Sequence, residues 1–269
     1  MAGHLLAAGH TLTVFNRTPA KTEPLRAAGA EVAGLPGLAS SCDLIFLCVN
    51  RTEDVRECLD SMKDAAPGTL FVDHSTIAPP AATEIQKELA ARGHRFVDAP
   101  VTGGSMGAQK GQLTVFLGGE EADCDQVLPV IAAYAKTARR VGGPGSGQMA
   151  KMANQIALGG GLLGLCECLS FAKKAGLDMA QIKELVGGGA AGSWAFDNYG
   201  PKILARDWSP GFSIRNQRKD FAYCKEAASA VHASIPGTEL VDRLLAVLEN
   251  DGHADWTTCA LFEVLEAMG

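Results

Sequence analysis

The first twenty-one residues, Met1–Lys21, read MAGHLLAAGHTLTVFNRTPAK. Thr11–Phe15 alternates as a strand does, and Asn16-Arg17-Thr18 closes it. Thr18-Pro19 then makes an N-cap and a first-turn proline, predicting a helix to Ala28 that Gly29 stops. At the end of the second strand of a dinucleotide-binding unit, an acidic residue selects a free ribose 2′-hydroxyl, and a neutral or basic one admits a 2′-phosphate. Arg17 can fork onto such a phosphate, with Lys21 one turn on and Thr18 as a hydroxyl donor. The competing reading is an ordinary polar turn that caps a helix.

Working outward, strand-like runs recur at Asp43–Val49, Thr69–Asp73, Arg95–Asp98, Leu113–Leu117 and Ala138–Val141. Helical patterns separate several of them, at Thr52–Met62, Pro79–Ala91 and Glu120–Ala135. This alternation predicts βαβ units around a mostly parallel sheet. Asp43–Val49 is almost continuously apolar, as suits a strand covered on both faces. After Gly142-Gly143-Pro144-Gly145 the pattern becomes helical throughout, at Gly147–Ala175, Asp178–Val186, Trp194–Arg206, Ile214–Ala233, Gly237–Asn250 and Trp256–Ala267. The expected organisation is a dinucleotide-binding α/β domain over residues 1–143 and an all-α domain over 144–269. Gly159-Gly160-Gly161, inside the first long helix, should cost about 1 kcal/mol each against alanine and calls for a closely packed neighbour.

A net charge of −6 argues against nucleic acid as a general partner. The longest apolar run, Ile156–Cys166, is short and glycine-rich, so no membrane span is expected, and Met1–Ala8 lacks the pattern of a secretory signal. Eight scattered cysteines without a C-x-x-C pair, and six histidines without metal-ligand spacing, predict free thiols, a reducing cytoplasmic setting and no metal.

Five further stretches carry chemistry. Asp73-His74-Ser75-Thr76 and Val49-Asn50 close strands, where open α/β sheets bind ligands; a plain turn is the alternative. In Asp98-Ala99-Pro100-Val101-Thr102-Gly103-Gly104, the paired glycines let backbone amides converge and Thr102 adds a hydroxyl, which suits a carboxylate; a sharp turn would also need glycine. Gln148, Lys151, Asn154 and Gln155 are spaced to share a helix face among small and apolar residues. A partly desolvated lysine there can exchange a proton with a carbonyl or hydroxyl oxygen that Asn154 orients. By spacing alone, a solvated polar stripe is the stronger reading. The same holds for Lys219-Asp220, in a segment made basic by Arg215 and Arg218.

Taken in order, these stretches resemble the β-hydroxyacid dehydrogenases. The shared patterns are N-R-T-x-x-K at Asn16–Lys21, D-x-S-T at Asp73–Thr76, D-A-P-V-T-G-G at Asp98–Gly104, G-x-G-x-x-x-K-x-x-N at Gly145–Asn154 and F-x-x-x-x-x-x-K-D at Phe212–Asp220. The resemblance implies a Rossmann-type first domain and an all-α second domain through which homodimers or homotetramers form. It implies interconversion of a small 3-hydroxy acid and its semialdehyde. Lys151 would be the acid/base. Thr102, Gly103 and Gly104 would hold the substrate carboxylate, and Asn154 would position substrate. Asn16, Arg17, Thr18, Lys21, Val49, Asn50 and Thr76 would line the cofactor, with Lys219 at its nicotinamide end. Asn16-Arg17-Thr18 is the form that prefers NADP over NAD.

Two departures accompany the resemblance. Gln155 stands where the family often has a second asparagine, a form closer to tartronate semialdehyde reductases. Relatives acting on 6-phosphogluconate carry histidine at the position of Asn154, which sets that substrate aside. Family members also begin with a strand and a G-x-G-x-x-G loop, roughly fifteen residues that would precede Met1. Two readings therefore stand beside the enzyme: a non-catalytic member acting in dimerisation or binding, and a chain whose start lies upstream of Met1. Trp194 and Phe212 are expected to shape the substrate pocket.

Overall fold

A computed structural model describes residues 1–268 as two compact units, Met1–Lys151 and Met152 onward. The first begins with a short helix, α1 (Ala2–Ala7), and a parallel strand pair, β1 (Thr13–Val14) and β2 (Glu31–Val32). Between these strands lie a 3₁₀ turn, Pro19–Lys21, and α2 (Glu23–Ala27). The helix expected from Thr18 to Ala28 is thus broken, because Pro24 lacks the amide that a continuous helix would use.

The main sheet is built from β3 (Leu44–Leu47), β4 (Leu70–Asp73), β5 (Arg95–Asp98), β6 (Val101–Thr102), β7 (Leu113–Gly118) and β8 (Ala135–Gly142). Its order is β3-β4-β5-β7-β6, with β8 pairing β7. β3, β4 and β5 run parallel, and so do β7 and β8; β7 is antiparallel to β5 and β6. The sheet is therefore mostly parallel, as expected, with β7 antiparallel to β5 and β6. The short connection from β5 to β6 keeps β6 beside β7 as a local antiparallel pair. Helices α3 (Leu35–Ser41), α4 (Thr52–Asp60), α5 (Pro79–Ala91), α6 (Gly104–Lys110) and α7 (Glu121–Ile131) connect the strands. Helix α7 stops at Ile131, short of the expected Ala135, because Ala135 already belongs to β8.

Period-two alternation explains why both faces are covered. Phe71 and Phe96 point into one core with Val55 and Leu59 of α4 and Ile85 and Leu89 of α5. Their neighbours Leu70, Val72 and Val97 point into the other, with Leu113, Val115 and Leu117 of β7 and Val127 and Ile131 of α7.

His74, at the end of β4, is wholly enclosed in this unit. Its Nδ1 donates to the Ala99 carbonyl (2.6 Å), so Nε2 accepts from the Tyr134 hydroxyl (2.7 Å). Burial lowers its pKa from 6.5 to about 4. Between those values the unfolded chain binds a proton that the folded chain refuses, so this contribution to stability is lost as pH falls through the window. Other buried groups titrate there too, so the effect is read as a difference. The stability penalty of His74→Gln in urea unfolding should shrink by roughly 2–3 kcal/mol between pH 7.5 and 4.5. A penalty independent of pH would refute the buried neutral imidazole.

The second unit is helical: most of α8 (Ser146–Lys174), then α9 (Met179–Gly187), α10 (Trp194–Asn198), α11 (Gly200–Ala205), α12 (Ile214–Ala230), α13 (Pro236–Asn250) and α14 (Leu261–Ala267). The helix expected over Trp194–Arg206 is two, parted at Tyr199 ahead of Gly200-Pro201. The last segment opens with a 3₁₀ turn, Thr258–Ala260, rather than as helix from Trp256. Leu162, Leu165, Cys166 and Leu169 put one stripe of α8 into a core with Ile214, Phe221 and Cys224 of α12 and Val241 and Leu245 of α13. A Cβ on Gly159 would sit 2.8 Å from the Phe221 ring, so this glycine serves close helix packing; Gly160 has nothing within 4 Å and does not. At 29 residues, α8 is long and apolar enough to cross a membrane, contrary to the expectation from uninterrupted apolar runs. One stripe of it packs in the helical core, and 44% of its most apolar window is buried.

Candidate functional site

In the first unit the predicted residues gather at the C-terminal ends of β3, β4 and β5. The Val49 amide donates to Ser75 Oγ (2.9 Å), tying the end of β3 to the loop that carries Thr76. The Asp73 side chain accepts from the Ser75 amide (2.9 Å), which folds that loop tightly. Asn50 follows Val49 at the same strand end, just ahead of α4. At the end of β1, Asn16 accepts from the Thr18 amide (2.9 Å), a turn that leaves Thr18 and Arg17 outside. The Arg17 side chain is 74% exposed and pairs at 3.6 Å with Asp54 in the first turn of α4. Lys21 is exposed at the end of the 3₁₀ turn. A guanidinium, an ammonium and a hydroxyl on one turn are a donor set that fits a 2′-phosphate.

The β5–β6 connection leads into Thr102, Gly103 and Gly104. Gly103 has φ +123° and Gly104 φ +66°, conformations that disfavour any side chain. Lys151 reaches this loop from the start of α8. Its Nζ donates to the Val101 carbonyl at 2.9 Å, one residue before Thr102. Lys151 is only 7% exposed.

The solvated stripe expected on α8 is therefore wrong. Gln148 is fully buried: its Nε2 donates to the Ser75 carbonyl (2.8 Å) and its Oε1 accepts from the Ile77 amide (3.2 Å). Tertiary partners, invisible in the spacing, absorb these polar groups. Asp98 is likewise buried. Its Oδ1 accepts from the Gly145 amide and its Oδ2 from the Gln148 amide, each at 2.8 Å. Burial pushes its carboxyl up to about 7, against the pull of those amide donors.

In the second unit, Asn154 Nδ2 donates to Gln155 Oε1 (2.8 Å), and Gln155 Nε2 donates to Asp220 Oδ2 (2.7 Å). Lys219 Nζ lies 3.1 Å from Asp220 Oδ1 and 5.6 Å from the Tyr223 ring centroid. Lys219 and Asp220 are thus not a solvated basic face, and Arg218 pairs with Asp242 and Glu249. Asp220, quoted in the sequence pattern but given no role there, joins Gln155 to Lys219. Trp194 is 44% exposed and packs edge-on to Tyr199, while Phe212 is half-buried.

This arrangement of strand-end loops and a lysine-bearing helix has known counterparts. Residues 1–143 match the NAD binding domain of 6-phosphogluconate dehydrogenase, and residues 145–265 the NAD-binding domain of NADP-dependent 3-hydroxyisobutyrate dehydrogenase. A probable 3-hydroxyisobutyrate dehydrogenase-like protein of Arabidopsis thaliana is 39% identical over all of this chain and 82% of its own length. The 2-hydroxy-3-oxopropionate reductase of Escherichia coli is 32% identical over all of this chain and 93% of its own. The solved 3-hydroxyisobutyrate dehydrogenase of Mycobacterium tuberculosis, with L-serine, superposes with a TM-score of 0.87 at 28% identity, covering 98% of this chain and 94% of that one. The chain belongs to the β-hydroxyacid dehydrogenase family, whose members are NAD(P)-dependent oxidoreductases of small hydroxy acids.

Proposed function

We propose that this protein is an NADP-preferring reductase of a small semialdehyde, and in reverse a dehydrogenase of the matching 3-hydroxy acid. The observation that carries this reading is the buried Lys151 ammonium, set beside the Thr102-Gly103-Gly104 loop by its bond to the Val101 carbonyl. The bound nicotinamide supplies or takes the hydride. Lys151 gives a proton to the substrate oxygen during reduction and recovers it during oxidation. Thr102 and the amides around Gly103 and Gly104 hold the carboxylate, which fixes the reacting carbon near that ammonium. Asn154 orients the same oxygen. By the family pattern Lys219, paired with Asp220, would serve the nicotinamide, and Val49, Asn50 and Thr76 would line the cofactor. The adjacent Asn154 and Gln155 favour tartronate semialdehyde among the family's substrates. The helical unit is the expected surface for homodimers or homotetramers, and the free cysteines suit a reducing cytoplasm.

The exposed Arg17 and the neutral Asn16 and Thr18 support the preference for NADP. Arg17→Asp should raise the ratio of the NADPH Kd to the NADH Kd, read by cofactor fluorescence, by about 10–100-fold. An unchanged ratio would remove Arg17 from the phosphate site. A panel of glyoxylate, succinic semialdehyde, tartronate semialdehyde and 3-hydroxyisobutyrate tests the substrate class; no turnover on any of them overturns it.

A further inference from the structure

Asp98 opens the D-A-P-V-T-G-G pattern, yet the proposed reaction gives it no role. Two backbone amides at the start of α8, those of Gly145 and Gln148, would have no partner within the helix. Both are taken by one carboxylate from the end of β5, 47 and 50 residues away in sequence, at 2.8 Å each. Room for it is made by two glycines. A Cβ on Gly118 would lie 2.5 Å and 2.8 Å from the Asp98 carboxylate oxygens, and one on Gly147 would lie 2.8 Å from Oδ2. Two-point contact by a carboxylate does more than satisfy donors. It fixes the rotation of the first turn about the helix axis as well as its height above β5.

Lys151 follows Gln148 by three residues, one turn further on, and bonds the carbonyl of Val101, three residues after Asp98. The segments Asp98–Val101 and Gly145–Lys151 are therefore pinned to each other at both ends, by the carboxylate at one and the ammonium at the other. Gln148 ties the same turn to Ser75 and Ile77. We infer that Asp98 is a positioning residue: its carboxylate sets the turn of α8 from which Lys151 reaches the substrate loop. A carboxylate suits this role better than an amide. Both its oxygens accept, whereas asparagine would turn its own N–H toward one of the helix amides. The inference rests on the reading of Lys151 as the acid/base.

The test compares Asp98→Asn with the unaltered protein in three ways. Limited reductive methylation followed by mass spectrometry reads the reactivity of each lysine, with Lys219 in the helical unit as the control for general loosening. Labelling of Lys151 should rise at least about fivefold while that of Lys219 stays within about twofold. With the Kd for NADPH unchanged, kcat should fall roughly 10–100-fold and KM for the semialdehyde should move little. In a Lys151→Ala background the same substitution should lower the residual rate less than about threefold, because it acts through a lysine no longer there. Unchanged labelling of Lys151, a parallel rise at Lys219, or equal losses of kcat in both backgrounds would each overturn the proposal. Full turnover by Lys151→Ala alone would overturn the lysine's role, and the positioning role with it. The labelling result does not depend on turnover, so the two failures are told apart. If the asparagine variant does not fold, Asp98→Ser, which leaves space instead of filling it, gives the same comparison.

Discussion

Replacing Lys151 with methionine should lower kcat for semialdehyde reduction by about 10²–10⁴, the range expected for loss of a general acid. The Kd for NADPH should stay within about threefold of its original value. Methionine keeps most of the lysine's length and apolar bulk, so the buried site stays filled. What disappears is the ammonium that bonds Val101, which the proposed function makes the proton donor next to Thr102. The Val101 carbonyl loses that partner, which should cost about 1–3 kcal/mol of stability and show as a lower urea midpoint. A variant that lost cofactor binding as fully as turnover would assign Lys151 to the scaffold rather than to the chemistry.

The largest expected effect on folding is at Gly147. A Cβ there would lie 2.5 Å from the Phe116 carbonyl and 2.6 Å from that of Asp98, both backbone oxygens of the central sheet. Neither can swing aside as a side-chain tip could. Gly147→Ala must lift the start of α8 off the strands, breaking the Asp98 bonds to Gly145 and Gln148 together. We expect a loss of about 3 kcal/mol or more, the upper range for overpacking. Gly143→Ala is the control: a Cβ there meets nothing within 4 Å, so it should change stability by less than about 0.5 kcal/mol. Equal urea midpoints for the two variants would contradict the tight junction.

Much of this was readable from residues alone because it depends on local periodicity. β4 and β5 were delimited to within a residue, and α5 at both ends, since alternating or helical apolar patterns bounded by Pro, Asp and Gly are strong signals. The two-residue strands β2 and β6 and the seven-residue α3 and α6 were missed, being too short to show a period. The sense of β7 against β5 is set by pairing across the sheet and leaves no trace in either strand's composition. At the site, the residues were legible and their surroundings were not. Gln148 and Lys151 looked like a wet stripe because the carbonyls that absorb them belong to loops 50 or more residues away. Asp98 was quoted as part of a loop motif, yet its partners are backbone amides, which no side-chain pattern announces.

The pair β1–β2 is held by few ties: two strands of two residues, one of them exposed along its length, and an ion pair at the surface. The turn that would grip the ribose phosphate is exposed at Asn16, Arg17 and Thr18. Recognition there carries an entropic charge, since ordering Asn16–Lys21 around a phosphate spends part of what the new contacts release. Discrimination between the two nicotinamide cofactors would then depend on the ordering of this exposed turn as well as on the strength of one guanidinium.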